Sequence, residues 1–211
     1  MTWKSSGRKS LLASVSAAGV CLTQGACHAQ GAPLPSGWWK LDGTVRAAAP
    51  QSGLGAGALQ QVGSVTWGKG FGKTKSLVLN GRGCLQLSHA PIDISKSYTI
   101  TAWVKINHLG GWQTFVSEDG PVQSGFFLQL RDDTDTFGFV VTHHGEGLPN
   151  AVVTSTDVPT PGEWYHIAGV YNAVRHTVEL FVNGKLQGRA RCAPPTNVPG
   201  PPVISTLIWY P

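Results

Sequence analysis

With 211 residues the chain is long enough for one domain with a sizeable core. Only 13% of its residues are charged, Gly (27) and Pro (14) are abundant, and 8 Trp, 7 Phe and 4 Tyr are available for burial. This composition excludes a disordered chain and favours short strands joined by turns. The formal net charge of +5 overstates the basicity of the folded part, because Lys4, Arg8 and Lys9 all lie in the first nine residues.

Those three bases open an export-type segment. Leu11 to Leu22 is an uncharged run of small and apolar residues, too short for a stable membrane anchor. Cys27-His28-Ala29 then places small residues at the −3 and −1 positions of a cleavage after Ala29. Neither Cys21 nor Cys27 has a Leu three residues before it, which argues against a lipoprotein signal. The expected organisation is a signal peptide over 1–29, a short linker over 30–36 and one domain over 37–211, secreted to the extracellular space or periplasm. After Ala29, 13 Lys and Arg face 11 Asp and Glu, a net charge of +2. These bases look scattered along the chain, so no nucleic-acid partner is expected. No later stretch approaches a membrane span.

Trp38-Trp39-Lys40-Leu41 reads as a first strand ended by Asp42-Gly43. Val45 to Gly63 is Gly-rich and reads as a long loop with one short strand. Val65-Thr66-Trp67 and Ser76-Leu77-Val78-Leu79 flank the glycine-punctuated turn Gly68-Lys69-Gly70-Phe71-Gly72. Asn80-Gly81 is a strong turn signal before Cys84-Leu85-Gln86-Leu87. Tyr98 to Ile106 alternates with period two: Tyr98, Ile100, Ala102, Val104 and Ile106 share one face, and Thr99, Thr101, Trp103 and Lys105 share the other. Thr114 to Ser117 is a further strand, and Phe126 to Leu130 and Phe137 to Val141 flank the polar hairpin Arg131 to Thr136. Ala151 to Thr156, Trp164 to Tyr171, Thr177 to Val182, Lys185 to Gln187 and a run from Val203 to Tyr210 complete the strands. No window carries a helical apolar period, so the fold class is all-β, a sandwich or barrel.

Two cysteines remain after the export segment, Cys84 and Cys192. In an oxidising compartment an even pair invites a disulfide, the alternative being two separately buried thiols. A bridge would close a loop of about 110 residues and stabilise by ~4–5 kcal/mol in the chain-entropy model.

From Gly37 to Gly188 the chain resembles the LamG-like jelly-roll domains of the concanavalin A-like lectin/glucanase architecture. The resemblance rests on the order of five motifs: Trp38 to Gly43; Gly70-Phe71-Gly72-Lys73 with Leu77 to Gly81; Tyr98 to Lys105; Gly162-Glu163-Trp164-Tyr165-His166-Ile167-Ala168-Gly169-Val170-Tyr171; and Leu180 to Lys185. It implies a two-sheet antiparallel jelly-roll sandwich, with Trp103 and Trp164 packed rather than ligand-facing. Two departures stand out. Many members carry an Asp-Ser-Ser-Gly-like stretch rich in oxygen ligands, whereas the corresponding Pro50-Gln51-Ser52-Gly53 has no carboxylate and gives calcium little support. The usual Gly-x-Ile-Asp-type closing strand is also missing before Tyr210-Pro211, so an open sheet edge is expected.

None of the 11 acidic residues forms the Glu-x-Asp-x-x-Glu strand pattern of glycoside hydrolases of this architecture, and adjacent Glu118-Asp119 point to opposite faces of a strand. Asp132-Asp133-Thr134-Asp135 is either a calcium-type oxygen cluster or a hydrated hairpin turn, the latter preferred. His143-His144-Gly145-Glu146 lacks the helical spacing of metalloproteases and reads as a polar loop. The expected function is a secreted, non-catalytic module for glycan or extracellular-protein binding, with Trp112 as the candidate sugar-stacking residue and His143, His144 and Glu146 as polar partners. The alternatives are a polysaccharide-active hydrolase of the same architecture and a structural remnant of a longer extracellular protein.

Overall fold

A computed structural model describes residues 37, 39–41, 43, 59–87, 92–119, 124–142, 150–193 and 202–204. Among them there is no helix, and thirteen strands occur: β1 Leu59–Gly63, β2 Thr66–Lys69, β3 Lys75–Val78, β4 Gly83–Leu87, β5 Tyr98–Val104, β6 Gln113–Asp119, β7 Ser124–Leu130, β8 Phe137–Val141, β9 Ala151–Thr154, β10 Tyr165–Asn172, β11 Thr177–Val182, β12 Lys185–Arg191 and β13 Pro202–Ile204. A seven-stranded antiparallel sheet has the order β1-β4-β13-β6-β7-β8-β9, and a four-stranded one the order β12-β11-β10-β5. β2 and β3 form a separate hairpin. This is the two-sheet jelly-roll sandwich expected from the period-two strands.

The core lies between the two large sheets. Tyr98, Val104, Ile167, Tyr171, Val178 and Leu180 come from the four-stranded sheet, and Phe126, Leu128, Leu130, Phe137, Phe139 and Val141 from the seven-stranded one. Each fully buried Leu or Phe contributes about 1.5–3 kcal/mol relative to exposure. The sheets pack closely at Gly169 of β10, where a Cβ would meet the Phe139 ring at 2.4 Å. A smaller cluster of Leu59, Leu85 and Leu87 packs with Trp39, Leu41, Val65 and Leu77.

Three expectations need correction. The stretch at 38–41 is no regular strand: Trp39 makes an isolated bridge, and Leu41 has a φ of 51°, which breaks an extended run; Trp38 lies outside the described residues. The stretch at 185–187 extends to Arg191 because a bulge between Leu180 and Phe181 lets β12 keep pairing with β11. No disulfide joins Cys84 and Cys192. Cys84 sits on β4 opposite Val62 of β1, whereas Cys192 follows β12 of the other sheet and packs in the main core. The Cys192 thiol donates to the Ala193 carbonyl at 3.2 Å, and burial pushes it up to about 11.

Pro202–Ile204 is an interior strand: Val203 pairs with Gln86 of β4 on one side and Ser117 of β6 on the other. Residues 205–211 of the expected final strand lie outside the described residues.

Candidate functional site

Alternation along β5 turns Tyr98 and Val104 inward and leaves Trp103 on the outer face of the four-stranded sheet. Trp103 is 49% exposed, and its cross-strand partner is His166 of β10. Against it packs Phe71, from the turn of the β2–β3 hairpin, with ring centroids 4.4 Å apart and planes 24° from parallel. Phe71 remains 53% exposed despite this stack. Trp164 meets Phe71 edge-on at 6.4 Å, and the Lys105 ammonium lies 5.3 Å from the Trp164 ring centre. The His166 ring lies 5.3 Å from that of Trp103, and burial holds its basicity below the usual histidine range.

The hairpin turn is built to present Phe71. Gly70 N–H donates to the Thr74 carbonyl at 2.8 Å, and Thr74 Oγ1 donates to the Phe71 carbonyl at 2.8 Å. A Cβ at Gly70 would fall 2.4 Å from the Lys75 carbonyl oxygen, and Gly72 has a φ of 66°. Glycine on both sides of Phe71 is therefore what the turn requires. Trp103 and Trp164, expected to be packed rather than ligand-facing, both meet Phe71, and Trp103 stays half-exposed.

Trp112, at 37% exposure, sits just before β6. The Arg131 guanidinium lies 4.9 Å from its ring centre and pairs with the Asp133 carboxylate. Beside it, Gly110 and Gly111 have φ of 78° and 76°, which turns both N–H groups toward the 131–136 hairpin. Gly110 donates to Asp135 Oδ1 at 2.7 Å and Gly111 to Asp132 Oδ1 at 2.6 Å. The acidic cluster thus does hairpin work, each carboxylate having its own partner. Among the described residues no group of three or more His, Cys, Asp or Glu converges as a metal site.

Residues 79–206 match the family model described as the concanavalin A-like lectin/glucanases superfamily. The chain belongs to this superfamily. No curated protein matches its sequence. Among solved structures the superfamily domain is similar to the binding domain of Paraclostridial Mosquitocidal Protein 1, at 14% identity and a TM-score of 0.54 over 70% of this chain. The match spans 39% of that chain. It is also similar to HCR/D-Sa-GBL1/C, at 13% identity and a TM-score of 0.50, covering 69% of this chain and 38% of that one. A third similar structure is domain 4 of AbnA, an extracellular arabinanase from Geobacillus stearothermophilus, in complex with arabinotriose. There identity is 15%, coverage 74% of this chain and 77% of that one, and the TM-score 0.49. The first two likenesses speak to the fold.

Trp112 stands at the end of the seven-stranded sheet where β7 ends and β8 begins, since Gln113 pairs with Leu130 and Leu130 with Phe137. His143, His144 and Glu146 lie outside the described residues. Of the remaining acidic groups, Glu179 pairs with Arg189 and Glu163 accepts from the Tyr165 hydroxyl at 3.1 Å. Glu118 is the exception. It points into the core with 4% exposure, its Oε2 has no hydrogen-bond partner among the described residues, and burial, aided by the Asp93 charge, pushes its carboxyl up to about 7.

Proposed function

We propose that this is an exported, non-catalytic carbohydrate-binding module whose sugar-contacting surface is the Phe71–Trp103–Trp164 cluster. The observation that carries this reading is the pair of half-exposed rings, Phe71 and Trp103, stacked on the outer face of a rigid sheet. Aromatic faces carry negative charge density and attract the C–H-rich faces of pyranose rings, and a preformed platform loses little entropy on binding. The superfamily description, which names lectins and glucanases, supports sugar handling in general.

Within that choice, the use of the carboxylates favours binding over hydrolysis. A glycosidase needs two accessible carboxyl groups flanking one bond. Glu118 has the raised pKa of a general acid, but it is enclosed in the core beside Phe126 and Tyr98, where no polysaccharide reaches it. Asp132, Asp133 and Asp135 are held by the Gly110–Gly111 turn and Arg131. Export is supported by the charge–apolar–small order of the first 29 residues.

The test is a polysaccharide panel read by affinity electrophoresis and calorimetry. Trp103→Ala should weaken binding at least tenfold, and Trp112→Ala should change it less than threefold. Loss with Trp112→Ala alone would move the site to the Trp112–Arg131 end. Reducing sugar released from any panel member would replace the binding reading with a hydrolytic one.

A further inference from the structure

Bases that look scattered in the sequence meet on the aromatic surface. The β2–β3 hairpin, Thr66 to Val78, carries Lys69, Lys73 and Lys75 and no acidic residue. Lys69 and Lys75 are direct cross-strand partners, a like-charge placement that opposes hairpin formation. All three are exposed, and none makes an ion pair among the described residues. The Phe71 stack brings this hairpin against the outer sheet face, where Lys105 reaches over Trp164. From Tyr98 to Ser117 there is again no acidic residue. Among the described residues, the neighbouring Glu163 carboxylate already accepts from Tyr165.

Three exposed lysines on the hairpin that presents Phe71, and a fourth over Trp164, make a surface complementary to a chain of fixed negative charge. Resting on the carbohydrate reading above, we propose that the Phe71–Trp103 surface selects acidic polysaccharides, with sugar rings on the aromatic faces and carboxylate or sulfate groups on Lys69, Lys73, Lys75 and Lys105. The unfavourable Lys69–Lys75 pairing is relieved when an anion sits between the two strands. Stacking sets the position of the chain, and the lysines set its charge class.

The experiment compares matched probes on the full chain: polygalacturonate against its fully methyl-esterified form, and dextran sulfate against dextran, with oligo(dT) as a third polyanion. At 50 mM NaCl the acidic member of at least one pair should bind tenfold or more tighter than its neutral counterpart, and the gap should narrow at 200 mM as charges are screened. Which pair shows the gap tells carboxylate from sulfate. The triple substitution Lys69→Ala, Lys73→Ala, Lys75→Ala should erase it. Lys96→Ala, Arg175→Ala, Arg191→Ala removes the same charge from the other end of the four-stranded sheet and should leave binding within twofold. Equal binding of acidic and neutral partners, abolished by Trp103→Ala, would overturn the acidic selectivity while leaving the carbohydrate reading intact. Equal losses in the two triple variants would also overturn it, as general polyelectrolyte attraction. Binding of oligo(dT) without any polysaccharide would overturn both readings in favour of a single-stranded nucleic acid.

Discussion

Replacing Glu118 by Gln should make the domain more stable above neutral pH and leave it nearly unchanged in mild acid. Glu118 lies on β6 opposite Phe126, is 4% exposed, and leaves Oε2 without a partner among the described residues. Its carboxyl ionises at about 7 in the fold, against an ordinary value of 4.5, chiefly because burial disfavours the charged form. Asp93, the nearby carboxylate, is held below its ordinary range by Ser95 and Lys96, so it is already negative throughout this window and adds to the repulsion. Between pH 4.5 and 7 the folded state therefore keeps a proton that the unfolded chain has released. Stability falls as pH rises through that window and is level with respect to this group on either side.

At ~1.4 kcal/mol for each pH unit separating the two values, ionised Glu118 at pH 8 costs the fold on the order of 3 kcal/mol. Glutamine keeps the shape and has no charge to desolvate. Urea unfolding followed by tryptophan fluorescence at pH 5 and pH 8 gives the change in stability for parent and variant. The parent should lose on the order of 3 kcal/mol more than Glu118→Gln between the two pH values. At pH 5, where both side chains are neutral in the folded state, the two proteins should agree within about 1 kcal/mol. An equal pH dependence in parent and variant would refute the reasoning, because it would mean that Glu118 ionises alike in folded and unfolded chains.

Three further outcomes follow from the packing. Gly169→Ala places a methyl 2.4 Å from the Phe139 ring and should destabilise by about 1–3 kcal/mol in urea, with Phe139→Leu in the same chain restoring part of the loss. Asp135→Ala removes the acceptor of Gly110 N–H and should cost about 1–2 kcal/mol and shift Trp112 fluorescence, whereas Asp135→Asn, which keeps the oxygen, should recover most of both. Phe71→Ala uncovers one face of Trp103 and should red-shift tryptophan emission while leaving the urea midpoint nearly unchanged, since the stack lies outside the core.

Legibility in the sequence followed the range of the forces involved. The period of Tyr98 to Lys105 assigns Trp103 to the same face as Thr99, Thr101 and Lys105, and that face is the outer one. The alternation alone thus marked Trp103 as solvent-side, and the general tendency of tryptophan to be buried was the weaker guide. Phe71 had a local signal too, an apolar ring between two glycines in a turn, but its partner is 32 positions away and only the sheet arrangement brings the two together. Lys69, Lys73 and Lys75 fall within seven residues, yet their kinship with Lys105 depends on that same stack. The Asp132–Asp135 cluster was readable as a hairpin turn, while its bonds to Gly110 and Gly111 span more than twenty positions. For the Cys84–Cys192 pair an even count carries no information about distance, and in the fold Cys84 stands on β4 opposite Val62 while Cys192 packs in the main core, with no disulfide between them.

The two unusual regions of the sandwich lie at opposite ends of one strand, and this has a consequence for engineering. Tyr98 opens β5 on the Glu118 side, its ring 5.5 Å from that of Phe126, while Trp103 stands five residues further on. At about 3.3 Å per residue the separation is roughly 17 Å, beyond the range at which substitutions usually couple. Glu118→Gln should therefore raise stability at pH 8 by the same amount in the parent and in Trp103→Ala, and should leave polysaccharide affinity within twofold. A double-variant cycle on both quantities checks this. An interaction above about 0.5 kcal/mol in stability, or a larger change in affinity, would show that charge in the core reaches the aromatic surface through the four-stranded sheet, and the platform would then be a responsive surface rather than a fixed one.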